Sequence, residues 1–399
     1  PNLGAVSGAA GKGSFRFGAA SAATQIEDLN THTDWYLWSQ PAPDGLGKAK
    51  FPIGDAVKGY SLAEKDIDLL VEMGLDSYRF SMEWARIEPE KDKIDEEALQ
   101  HYSDLIDALL AKGIRPMVTI HHFSNPVWID DPADPTCANG PTDANLCGFD
   151  HPEGGPMVAE QLAEHAKLLA ERFGDRVDDW GTLNEPVNYL LAGYGVGNFP
   201  PGKKNILSDI LKKFMPAVRN YMEAHALMYD AIKKADTADA DGDGVAASVG
   251  FTKEAAEWVA ASGGEPSEDP VDTAARDGVL WVYQYLFVEA FEQGGFDTDL
   301  DGKMDEDHPD WKGKLDWLGV QYYSRSGVTG APGLLPVVKA TPCFGTFDAG
   351  SCVPPIDPTY FVPAMNYEHH PEGLYTILKD FGSRWPDLPF TVTESGIAT

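Results

Sequence analysis

Short apolar, β-rich runs alternate along this chain with longer stretches whose apolar residues recur at helical spacing. Seven runs read as strands: Ser14–Gly18, Ser77–Phe80, Arg115–Ile120, Asp179–Thr182, Ala246–Gly250, Trp317–Tyr322 and Pro389–Thr393. Helices are expected between them. Ser61-Leu62-Ala63-Glu64 has the form of a capping box, opening a helix that runs to about Met73 and closes at Gly74. Asp95–Lys112 ends at Gly113, and Gly155–Phe173, Leu207–Lys234, Val271–Glu292 and Pro371–Arg384 carry the same periodicity. This alternation predicts an α/β fold with a parallel sheet and crossover helices. Long crossovers, with candidate chemistry at the strand ends, favour a β/α barrel over an open doubly wound sheet. No Gly-rich phosphate fingerprint follows the first strand, which weakens a dinucleotide fold.

A (β/α)8 TIM barrel closes with an eighth strand, and the pattern stops directly after its seventh. The expectation is that the eighth strand and helix are missing from this chain or are supplied by another polypeptide. A stable seven-stranded barrel is disfavoured, because it leaves unpaired edges and an open core. Residues 1–13, small and Gly/Ala-rich, are expected as a flexible N-terminus. Residues 14–399 are expected as a single, C-terminally incomplete barrel domain.

Composition narrows the partners. Of 399 residues, 43% are hydrophobic, ample for a large core. Acidic residues number 63 against 31 basic, a formal charge of −32, which argues against nucleic acid or an anionic membrane surface. No run approaches the roughly 20 apolar residues of a membrane helix. The four cysteines fall in two close pairs, Cys137 with Cys147 and Cys343 with Cys352, each bracketing a Pro/Gly/Asp-rich loop. Two loop-closing disulfides would imply an oxidising compartment, secreted or periplasmic; four free surface thiols are the alternative. Zinc is disfavoured, since no CxxC or CxxH spacing occurs.

Two glutamates stand just past strand-like runs: Glu185 in Thr182-Leu183-Asn184-Glu185-Pro186, and Glu394 in Thr393-Glu394-Ser395-Gly396. Glycosidic-bond cleavage needs such a pair, one a proton donor and the other a nucleophile or base.

The segments FRFGAASAATQIE, YRFSMEWARIEP, PMVTIHH, TLNEP, GYGVGNFPPG, DWLGVQYYS and FTVTESGIAT, in that order from about Phe15 to Thr399, resemble glycoside hydrolase family 1, the β-glucosidases and β-galactosidases. The resemblance implies a retaining β-glycosidase that hydrolyses terminal non-reducing β-D-glycosyl residues by double displacement. No redox cofactor or catalytic metal is implied. Glu185 matches the general acid/base and Glu394 the nucleophile. Arg79 matches the arginine beside the nucleophile, Tyr323 the tyrosine that contacts it, and Asn184 the residue on the sugar 2-hydroxyl. Gln25 and His122 match residues that grip the 3- and 4-hydroxyls, where groups that both donate and accept are suited. His121 and His122 are adjacent on a strand, so only one easily faces the pocket, and the resemblance favours His122. Phe123 and Trp128 are candidate stacking platforms or core.

Departures are informative. Gln321 stands where the family usually has asparagine, and its longer amide is expected to alter a contact beside the acid/base. Ser395 replaces the usual asparagine after the nucleophile. The tryptophan and glutamate that would bind the 4- and 6-hydroxyls have no counterpart, so the pocket is expected to be incomplete on its glycone side and the sugar is not determined. A transglycosylase, or a non-catalytic glycan-binding scaffold, is the alternative reading.

Asp297–Asp307 has acidic residues at alternate positions and then Gly302, the first half of an EF-hand-type loop. Asp297, Asp299, Asp301 and Asp305 are candidate ligands of a structural calcium, against a plain solvated insertion. Asp239, Asp241 and Asp243, before Gly244, form a weaker second candidate.

Overall fold

Parallel pairing organises the first of the two units into which the chain divides, Pro1–Phe251 and Thr252–Thr399. The computed structural model describes residues 15–331, 333, 337–342, 361–362 and 367–397. In the first unit β1 (Gly18–Ala20), β2 (Ser77–Ser81), β3 (Arg115–His121) and β4 (Asp179–Asn184) lie side by side in that order, each parallel to the next. The start of β5 (Ser248–Ser262) follows β4. Every residue of β4 is buried, as expected of a parallel strand covered on both faces. Register sets Phe80 against Val118 and His121 against Leu183, so β2, β3 and β4 bring their C-terminal residues to one end.

Helices α1 (Ala63–Glu72), α2 (Glu96–Ala111), α3 (Gly154–Phe173), α4 (Pro186–Leu190) and α5 (Met215–Ala235) join these strands. Asp95 caps α2 by accepting from the backbone N–H groups of Glu97 and Ala98, a contact worth about 1 kcal/mol. The capping box expected at Ser61 does not form. Leu62 is the cap residue of α1, and the Ser61 N–H and hydroxyl both donate to the buried Asp28 carboxylate. A charged acceptor taking two donors outcompetes a neutral cap. The helix expected over Leu207–Lys234 is broken into Asn205–Asp209, a π turn at Ile210–Phe214, and α5. Pro216, in the first turn of α5, has no N–H to continue an uninterrupted ladder. A disulfide joins Cys137 and Cys147, with Cα atoms 5.5 Å apart. The Cys343 and Cys352 pair lies outside the described residues.

The second unit holds the rest of β5 with β6 (Trp317–Thr329) beside it, and β7 (Phe390–Ser395) pairs parallel with β6. Helices α6 (Pro270–Leu280) and α7 (Leu286–Gln293) flank a π turn at Trp281–Tyr285, and α8 (Glu372–Arg384) precedes β7. β5 is the largest departure from expectation. It continues to Ser262 and turns back through Gly263 and Gly264, both at positive φ, to pair antiparallel with Glu265–Pro266. Lys253, Glu254 and Glu257 read locally as polar helix formers, and strand pairing overrides that preference.

Candidate active site

In the first unit the chain leaves β4 at Asn184, passes through Glu185, and enters α4 at Pro186. Glu185 makes the turn in the left-handed region, at φ 45° and ψ 62°, a conformation that costs a non-glycine residue about 1 kcal/mol. The turn sets the direction in which the side chain leaves the backbone, and the residue is only 9% exposed. The Asn188 amide donates to Glu185 Oε2 at 2.8 Å. Arg79, buried near the end of β2, donates from Nη2 to Asn184 Oδ1 at 2.7 Å. His122, just past β3, is also buried; burial, then the Arg79 charge, then His121 hold its pKa well below the ordinary histidine value. A neutral imidazole results, able to donate and accept. Arg79, Asn184, Glu185 and His122 are thus gathered at the strand ends. Gln25 lies in the short helix Ala23–Ile26 with its side chain exposed, and no hydrogen bond among the described residues ties it to them.

Next to these groups sits a layer of polar side chains of which the sequence singles out only His121. His121 Nε2 donates to Asn125 Oδ1 at 3.1 Å, and Nδ1 accepts from the Tyr221 hydroxyl at 2.7 Å. Burial lowers the His121 pKa to about 4. Asn125 Nδ2 donates to Asp34 Oδ2 at 3.0 Å and to the Tyr189 hydroxyl at 2.9 Å. Burial raises the Asp34 pKa to about 8, against the hydrogen bonds from Asn125 that favour its ionised form. Glu83, 1% exposed, accepts at Oε2 from Thr24 at 2.6 Å, Asn30 at 3.0 Å and Ser124 at 3.0 Å. It thereby ties the segment carrying Gln25 to the segment carrying His122. The available signal was an acid flanked by Met82 and Trp84, an apolar setting unsuited to a surface charge.

Phe123 is half-buried at positive φ and lies edge-on to His122, with ring centroids 5.1 Å apart. Trp128 is core, 4% exposed, with its indole N–H on the Glu88 carbonyl at 3.0 Å.

In the second unit Glu394 is half-buried near the end of β7. Tyr323 donates its hydroxyl to Glu394 Oε2, and Gln321 Nε2 donates to Oε1 at 2.7 Å. Gln321, fully buried on β6, also reaches Thr252 Oγ1 at 3.3 Å. Within this unit the Gln321 amide thus contacts the Glu394 carboxylate.

The acidic loop after α7 is closed by a hairpin, Gly295–Phe296 with Glu306–Asp307, rather than by a helix pair. Carboxylate oxygens of Asp297, Asp299 and Asp305 lie within 4.8 Å of one another, a set able to hold a metal ion. Asp301 is outside this set and pairs with Lys303 at 2.8 Å. Of the weaker candidate, Asp239 and Asp241 converge with Asp178 rather than with Asp243, and Asp241 pairs with Arg115.

The model of Glycosyl hydrolase family 1 matches residues 11–399. A β-galactosidase of Pyrococcus woesei is 29% identical over 439 residues, covering 96% of this chain and 81% of that protein. β-Glucosidase A of Thermotoga maritima is 29% identical over 404 residues, covering 96% and 78%. The structure of a Thermotoga maritima β-glucosidase in complex with deoxynojirimycin matches with a TM-score of 0.75 at 26% identity, covering 96% of this chain and 78% of that one. The fold class is that of these (β/α)8 barrels.

Proposed function

This chain belongs to glycosyl hydrolase family 1 and is a glycoside hydrolase of the β-glucosidase and β-galactosidase kind, and on that premise we propose that it cleaves terminal β-D-glycosyl residues with retention. The supporting observation is the contrast between its two strand-end carboxyls. Glu394 has a donor on each oxygen, which holds the carboxylate in the fixed orientation a nucleophile needs. Glu185 is buried on a strand-to-helix turn, which favours a retained proton.

In this reading Glu185 protonates the leaving oxygen while Glu394 attacks the anomeric carbon. Water, deprotonated by Glu185, then displaces Glu394 and releases the sugar with its original configuration. Asn184, steadied by Arg79, takes the 2-hydroxyl, and Gln25 and neutral His122 take the 3- and 4-hydroxyls. Tyr323 and Gln321 position the nucleophile. Small β-glycosides are the substrates, and no cofactor enters a step.

Two finer parts accompany this reading. Asp297, Asp299 and Asp305 hold a structural calcium, supported by their convergence. The Cys137–Cys147 disulfide supports an oxidising compartment, and no described helix is long and apolar enough to cross a membrane.

The test is intact-mass analysis after incubation with a 2-deoxy-2-fluoro β-glucoside bearing a good leaving group. One added sugar, mapped to Glu394, is expected. An adduct on another residue, or a first-formed product of inverted configuration by NMR, overturns the assignment.

A further inference from the structure

The contact between Asn188 and Glu185 is not explained by the hydrolytic scheme. Asn188 is the third residue of α4, so its side chain lies one helical turn back toward Glu185. It is half-buried, and its Nδ2 is 2.8 Å from Glu185 Oε2. Pro186 opens the helix without an N–H, so a side-chain amide stands where a first-turn donor is otherwise absent. The left-handed backbone at Glu185 directs the carboxyl, but it leaves the side-chain torsions to be fixed by contacts.

We propose that Asn188 is a positioning residue for Glu185, locking the carboxyl's rotamer and setting how readily it gives up its proton. The inference rests on Glu185 being the acid/base. An amide N–H stabilises the carboxylate over the acid, so Asn188 makes Glu185 a stronger acid for the leaving group. In this unit the other charged or titratable groups of these strand ends include Arg79 at the end of β2, the neutral His121 and His122 at the end of β3, the buried acids Asp34 and Glu83, and the Tyr189 and Tyr221 hydroxyls. Substitution at position 188 leaves all of them in place.

The experiment compares Asn188→Ala, Asn188→Asp and Asn188→Ser with the native enzyme on phenyl and 2,4-dinitrophenyl β-D-glucosides. Dinitrophenolate leaves without a proton, whereas phenolate needs one. For Asn188→Ala, kcat/KM is expected to fall about 10-fold with the phenyl glycoside and less than about twofold with the dinitrophenyl one. The alkaline limb of the pH profile is expected to rise by about half a unit in Asn188→Ala, and further in Asn188→Asp, where a second carboxylate opposes ionisation. Asn188→Ser keeps a donor and is expected to restore part of both effects, which also covers a poorly folding alanine variant. Equal losses on both substrates with an unmoved limb, at matched Tm, would mean that Asn188 serves only the helix, and would overturn the inference. Glu185→Ala separates the two levels. If it shows the acid/base signature, loss on phenyl glycoside with azide rescue on the activated substrate, while the Asn188 variants are inert, this inference alone fails. If Glu185→Ala keeps full activity, the functional reading fails with it.

Discussion

The carboxyl that ends β4 and the carboxyl near the end of β7 are held in opposite ways. Glu185 is 9% exposed, sits at a left-handed turn, and is backed by a deep polar layer running from Arg79 and Asn184 to His121, Asn125 and Asp34. Glu394 lies in β7 just past a shift in its register with β6, is half-buried, and is gripped directly by Tyr323 and Gln321, with Thr252 behind the glutamine. The difference teaches how one fold holds two like side chains by different means: one is surrounded, the other is clasped.

Removing each carboxyl tests the contrast most sharply. Glu394→Gln is expected to lower kcat by about 10⁵-fold for every leaving group, the scale of losing a covalent nucleophile. Glu185→Gln is expected to cost about 10²–10⁴-fold with poor leaving groups and little with activated ones. Equal sensitivity to leaving group in the two variants, measured on the same aryl glycoside series, would erase the distinction.

Loosening the clasp comes next. Tyr323→Phe and Gln321→Leu each remove one of the two contacts that hold the Glu394 carboxylate. Each is expected to lower kcat/KM about 10²-fold, the scale of a lost donor in a preorganised site, with activated and poor leaving groups alike. Full activity in both variants on the same aryl glycoside series would break the comparison on its second side.

The polar layer near Glu185 carries a cost in acid. His121 has its pKa lowered to about 4 by burial, and His165 on α3, stacked on Trp84 with ring centroids 5.2 Å apart, is lowered to about 3. Both lie below the unfolded value, so the unfolded chain binds more protons between that value and the native one. Their neutral burial therefore favours the fold above pH 6.5 and loses ground as pH falls toward 4. At pH 5 each histidine withdraws about 2 kcal/mol. His165→Phe should flatten the fall of Tm between pH 7 and pH 5. An unchanged fall would show that His165 is not the neutral buried group described.

Much of this was legible in the chain, for identifiable reasons. Six of the seven strands stand where a β-rich run marks them, whereas the first, expected over Ser14–Gly18, lies at Gly18–Ala20, where small residues give little β signal; the two carboxyls stand beside marked strands within distinctive motifs. The length of β5 was hidden, because Thr252–Ser262 is rich in Ala, Lys and Glu and becomes strand through its neighbours. Ser61 was misread because its competitor, Asp28, lies 33 residues away in sequence. Glu83 and Asp34 looked like any acids on a chain of charge −32; only folding reveals which few are buried. The Gln321 contact depends on which way an amide turns between β-strands, and no spacing rule records that.

The acidic loop gives the smallest and most easily isolated effect. Asp297 is wholly buried and accepts from the Trp281 indole N–H at 2.7 Å and the backbone N–H groups of Leu300 at 2.6 Å and Gly302 at 2.9 Å. Asp305 accepts from the Thr298 N–H and hydroxyl, at 2.9 and 2.8 Å. These bonds hold the loop and offset part of the repulsion among its carboxylates. Calcium held by Asp297, Asp299 and Asp305 would then add only its own binding free energy. At ten times a millimolar dissociation constant, typical of extracellular sites, that is about 1.4 kcal/mol. Tm measured in calcium and after chelation should differ by about 2 °C, and Asp305→Asn should shrink the difference. Asp301→Asn should not, because its carboxylate is engaged with Lys303 rather than with the converging set. Identical melting in calcium and chelator would remove the metal from this loop and leave the hydrogen bonds as its whole support.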